Sequence, residues 1–164
     1  MRALILLFAV FGLAISAVSV QAAGFNDPKA LVVAIYDPFT RHEQPADLKP
    51  FYSEHLKQLF AQKRGGESFA TASLKTGAKA PDADFDPFVN ADSYLIADLN
   101  ISDPVVMGQR AMVLVSYHNF DHPSLLSLSL LKEADGWKVD DVSSLGADQH
   151  WLLSWLLSND PFEQ

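Results

Sequence analysis

A chain of 164 residues with 20 acidic and 12 basic side chains, a net charge of −8 and no cysteine excludes several classes at the outset. Phosphate binding needs clustered Lys and Arg, so nucleic acid and anionic membrane surfaces are excluded as partners. Disulfide staples and a lipid-modified cysteine are also excluded, so the domain must fold by its core alone, as a bacterial periplasm permits.

The first segment reads as an export signal. Arg2 supplies the positive charge, and Ala3 to Ile15 is an unbroken run of apolar residues and one glycine. Val20-Gln21-Ala22 offers compact residues before a cut between Ala22 and Ala23. Extending the run to Val20 reaches about 18 residues, the lower limit for an uncleaved anchor, which is the alternative. The expected organisation is a signal over 1–22 and one domain over 23–164, periplasmic or secreted, with no membrane association after cleavage. Losing Arg2 would make the domain one unit more negative.

Helical signals come first in the mature chain. Asp27 is placed as an N-cap and Pro28 at the first helical position, followed by Leu31, Val32, Ile35 and Tyr36 at helical spacing, with Pro38 ending the helix early. A second helix is expected from near Asp47, with Pro50 in its first turn, burying Phe51, Tyr52, Leu56, Leu59 and Phe60 and stopping at Gly65-Gly66. Glu67 to Lys75 suggests a short third helix, and Lys75 to Asn90, rich in Pro, Gly, Ala and Asp, reads as a loop.

The period then changes. Tyr94 to Ile101, Arg110 to His118, Leu125 to Lys132 and Trp137 to Ser143 read as about four antiparallel strands separated by turn signals. Both faces of the second strand carry apolar material. Asp148 to Leu157 reads as a closing helix with Trp151 and Trp155 on one face. Helices first and strands after predict an α+β fold: N-terminal helices on a curved, mainly antiparallel sheet of about four strands, with a short C-terminal helix.

No reactive motif stands out. Asp82, Asp84 and Asp86 copy the opening of a calcium loop, but Pro87 stands where its glycine belongs and Ser93 where its bidentate glutamate belongs. His118 and His122 flank ordinary hairpin residues, so no metal and no cofactor is expected. Asp98 and the pair Asp140-Asp141 are candidate general bases if buried, but alternation lets only one of the pair face inward unless a bulge intervenes.

Three segments resemble an exported bacterial family, domain-of-unknown-function family 3828, of the nuclear-transport-factor-two-like cone fold. They are Phe51-Tyr52-Ser53 with Leu56, the loop from Asp84 to Asp92, and Gly136 to Val142. Ala91 departs from the family's usual Gln. The resemblance implies helices wrapped by a curved sheet around a pocket, and leaves room for a homodimer through the open sheet.

The candidate ligand-binding residues are Tyr52, Asp86, Asp98, Trp137 and Asp141. Trp137 is expected to be buried with Val139 on the same face and Lys138 outward, the alternative being a stacking platform at a pocket mouth. The leading expectation is a noncatalytic domain binding a small ligand, a peptide or a periplasmic protein. The alternatives are a lyase or isomerase with an aspartate base, and an inhibitor or immunity-type partner of a basic protein.

Overall fold

Asp27 caps the first helix as its position suggests, accepting the amides of Lys29 and Ala30 through its carboxylate. The computed structural model describes residues 24–43, 47–65, 86–89, 94–146 and 150–159. Its elements are α1 (Pro28–Thr40), a 3-10 turn (Lys49–Phe51), α2 (Glu54–Gly65), β1 (Ile96–Ile101), β2 (Val105–Met107), β3 (Arg110–Asn119), β4 (His122–Glu133), β5 (Gly136–Ser144), β6 (Trp151–Leu152) and α3 (Leu153–Ser158). The signal segment, the expected helix at Glu67, and Asp82, Asp84 and Ala91 fall outside the described residues.

The fold is α+β, with an open sheet of six strands rather than about four. The order is β1-β3-β4-β5-β6, with β2 beside β3 further along the same edge as β1, and every strand pairing is antiparallel. The two strands that sequence patterning missed have three and two residues, too short to show alternation. A two-residue turn at Gly108-Gln109 joins β2 to β3, and Gly108 has φ +61°, the left-handed conformation glycine adopts freely.

Alternation sorts β3 cleanly. Ala111, Val113, Val115 and Tyr117 are buried on the inner face, in register with Leu130, Leu128 and Leu126 of β4. Trp137 and Val139 continue this face on β5, and both are buried. After Val139 strict alternation would bring Asp141 inward. A bulge prevents it: Leu130 pairs with Val139 and Ser129 with Asp141, so Asp140 is the extra residue and Val142 returns to the core.

Helix α1 covers the inner face with Leu31, Val32, Ile35, Tyr36 and Phe39, all fully buried. Pro38 does not end it. A proline removes one amide donor, yet Arg41 N–H still reaches the carbonyls of Asp37 and Pro38, and burial of Phe39 holds the last turn in place. The second helix starts later than expected, because the chain makes a 3-10 turn through Pro50 first and Ser53 then caps α2 by accepting Leu56 N–H at 3.0 Å.

The start of the domain is tied to the β4–β5 turn. Phe25 bridges Trp137 and accepts its amide at 2.8 Å, and a Cβ on Gly24 would overlap the Asp135 carbonyl. Gly136, at φ +124°, packs against the Phe25 backbone with room for no side chain. Two further expectations are corrected here. Lys138 is buried rather than pointing to solvent, because its ammonium donates to the Pro50 carbonyl at 3.0 Å and pairs with Asp135 at 2.8 Å. Trp151 lies in β6, not on a helix with Trp155, because pairing with Ser144 extends the chain there, and Trp155 is 53 % exposed.

Candidate binding site

Tyr52 sits where the 3-10 turn meets α2, fixed on both sides. It forms a parallel bridge with Val139, the next amide, Ser53 N–H, donates to the Val139 carbonyl at 2.8 Å, and the cap begins α2 at once. This anchoring to the edge of β5 orients the ring. It stacks with Phe60, midway along α2, with centroids 5.4 Å apart and planes 13° apart, and with Phe88 at 6.2 Å and 21°.

A half-open cavity of about 230 Å³ lies against this aromatic pair, lined by Asp47, Lys49, Tyr52, Lys57, Phe60 and Ala61. Its rim is charged but nearly balanced. Lys57 pairs with Glu54 at 2.6 Å, and Asp47 accepts the Lys49 amide at 3.1 Å, while the Lys49 ammonium forms no ion pair among the described residues. The lining is mostly apolar, with the rings of Tyr52 and Phe60 and the methyl of Ala61 among its surfaces.

Asp86 is partly buried and close enough to Tyr52 for its charge to act on the phenol. Its carboxylate accepts the Phe88 amide at 2.8 Å, and the Phe88 carbonyl accepts from the phenols of Tyr36 at 2.8 Å and Tyr117 at 3.3 Å. A turn with no regular hydrogen-bonding ladder is thus held in the core by two tyrosines and one aspartate. Burial raises the Asp86 pKa, opposed in part by the Phe88 amide. Burial also raises the phenol of Tyr52, with the charges of Asp86 and Asp47 adding to it, so Tyr52 stays a neutral hydrogen-bonding group at neutral pH. The phenols of Tyr36 and Tyr117 serve the Phe88 carbonyl rather than the carboxylate. This arrangement fixes a turn; it does not line up an acid and a base.

Of the five candidate residues the structure therefore brings Tyr52 and Asp86 together and separates the rest. Trp137 is 4 % exposed and belongs to the core beneath Phe25. Asp141 receives the amide and hydroxyl of Ser154 and so begins α3. Asp98 stands on the β1 bulge at φ +53°, exposed, 3.4 Å from His118 Nδ1. The bulge at Asp140 is the exception the alternation argument allowed for, and it turns neither acid into the core: Asp140 accepts from Ser53 Oγ at 2.7 Å and meets His55 Nδ1 at 3.3 Å. Asn119 and His122 flank a two-residue hairpin loop, with His118 opposite Pro123 one step further along the ladder, and no three His, Asp or Glu side chains converge among the described residues. Lys49, Lys57 and Ala61 were missed as cleft residues. Their signal is spacing, since 57, 60 and 61 share one face of α2, but nothing in the sequence distinguishes that face from a solvated one.

No family model matches the chain, and no curated protein does. Two solved structures resemble it. One is a chain of the type VI native effector–immunity complex Tae3–Tai3 from Ralstonia pickettii, 18 % identical, with a TM-score of 0.47 over 76 % of this chain and all of that one. The other is a phospholipid-binding protein from Ralstonia solanacearum in complex with a phospholipid, 15 % identical, with a TM-score of 0.35 over 82 % of this chain and 60 % of that one. Neither likeness carries an argument about what this chain binds.

Proposed function

We infer that this is an exported, noncatalytic binding domain whose cleft at Tyr52 takes one small apolar group, an aromatic or branched aliphatic side chain of a peptide or a ligand fragment of that size. The observation that carries the reading is the half-open cavity against the stacked Tyr52–Phe60 pair. At about 230 Å³ it exceeds the roughly 150 Å³ that holds benzene and falls short of the roughly 300 Å³ at which pockets for whole drug-sized ligands begin. The remaining interior is occupied by Tyr36, Phe39, Phe88 and Tyr117.

Titration of the isotope-labelled protein with phenol and with short peptides carrying one Phe or Leu tests the reading by NMR. Shifts should concentrate at Tyr52, Lys57, Phe60 and Ala61. Ala61→Trp should fill the cleft from its exposed rim and abolish them. Shifts that persist in this variant, or that cluster elsewhere, would overturn the assignment. Export is tested separately, by intact mass: the periplasmic or secreted form should begin at Ala23.

A further inference from the structure

The edge of the sheet opposite the helices at β5 ends in β2, whose three residues are all apolar and exposed. Val105, Val106 and Met107, with Met112 and Leu114 beside them on β3, are 36 to 69 % exposed. The other edge is covered, by Phe25, Tyr52 and β6 in turn. Among the described residues β2 has no strand on its outer side.

Its backbone is oriented to receive one. Leu114 carbonyl accepts Ser102 N–H at 2.9 Å, so the even-numbered residues of β3 direct their backbone groups toward β1 and β2. Arg110 and Met112 therefore exchange hydrogen bonds with Met107 and Val105, and Val106 opposite Ala111 is a non-hydrogen-bonded pair. The Val106 N–H and C=O consequently point away from the sheet, with no partner among the described residues.

We propose that β2 pairs with β2 of a second copy, antiparallel and centred on Val106, to form a continuous sheet across a two-fold axis. Antiparallel pairing about one residue is self-complementary by construction. Val106 meets its own counterpart and exchanges two backbone hydrogen bonds, while Val105 meets Met107 of the second copy and the reverse, so each apolar side chain gains an apolar neighbour.

Charge favours this occupant despite the net −8 of each chain. The strip contains no acid. The nearest, Asp103, is neutralised by Lys29 at 2.7 Å, which also lowers its pKa, and in this register it falls opposite Gln109 of the second copy. The two Arg110 residues lie on strands three spacings apart, about 14 Å, beyond the screening length of about 8 Å at physiological salt. Pro104, opposite Gly108, has no amide to extend the ladder, so the contact is short and the dimer concentration-dependent.

The test is sedimentation of the protein recovered from the soluble fraction of expressing cells, its N-terminus defined by intact mass, up to about 1 mM, where a contact with a Kd of about 1 mM is half occupied. The mass should rise from monomer toward dimer. Val106→Pro removes the outward amide at an edge position where proline is tolerated, and Met107→Lys places like charges in the contact; each should hold the protein at monomer mass with unchanged thermal stability. A wild type that stays monomeric across the range would overturn the proposal, as would variants that dimerise equally. A monomeric wild type that instead takes up an added extended apolar peptide at β2 would also overturn it, and would assign the edge to another chain.

Discussion

The two faces of β3 carry side chains of comparable size with opposite environments. Val113 and Val115 are fully buried beneath α1, while Met112 and Leu114, one residue away, face outward and are exposed. The difference does not lie in the hydrophobicity of either row. It lies in the supply of covering elements, because α1 packs on the inner side and α2 and α3 gather near β5. Among the described residues, helices cover one face of a sheet that carries apolar side chains on both.

The largest effect should come from breaking the covered face at its most tightly held point. Trp137 is buried, carries a bridge to Phe25, and lies beside the Lys132 ammonium at 5.8 Å from its ring. Trp137→Ala should cost about 3 to 5 kcal/mol in urea unfolding, the range for deleting a large buried aromatic. Unchanged stability with lost ligand binding would return the indole to the alternative role of stacking platform.

A smaller effect should come from Asp86, which tests whether the turn that carries Phe88, stacked on Tyr52, is structural. Because its folded pKa is raised above the unfolded value, the folded state holds the proton more tightly; that contribution is full below the unfolded pKa near 4 and is lost as pH rises through the folded pKa. Asp86→Asn keeps an oxygen for the Phe88 amide and removes the buried charge. The variant should therefore gain melting temperature relative to wild type as pH rises from 3 to 7, with the difference smallest at the acid end. A difference that shrinks with rising pH would mean that the carboxylate is stabilised by an ionic partner and that the turn is held differently.

How much of this was legible in the sequence depended on the range of the cause. Asp27-Pro28 and the alternation of β3 act within a few residues, and both were readable. Pro38 misled because the burial of Phe39 by distant residues outweighs one missing hydrogen bond. Lys138 misled because the Pro50 carbonyl that receives its ammonium is 88 positions away in sequence. The bulge at Asp140 was foreseeable only as an exception, since a period-two pattern says where alternation fails and not how the strand repairs it. The cleft was legible least. Tyr52 and Asp86 were singled out separately, but their meeting at Phe88, and the role of Lys49, Lys57 and Ala61, depend on how α2 lies against β5.

The smallest expected effect sharpens the comparison most, because it compares neighbours on one strand. Met112→Thr replaces an exposed outer-face residue whose register neighbours are Val105 and Ser129, and threonine suits a strand surface. At micromolar protein concentration, where β2 pairing is absent, its stability should change by no more than about 0.5 kcal/mol. Val113→Thr is nearly the same size but places a hydroxyl in a fully buried, apolar position, costing about 1 to 3 kcal/mol for an unsatisfied polar group. The pair differ in position by one residue and introduce the same side chain, and the larger deletion is at the exposed site, so a greater loss at Val113 must come from burial of the hydroxyl. Equal losses would mean that the outer face is packed in solution even at low concentration, and the contrast between the two faces would then belong to the isolated chain and not to the protein at work.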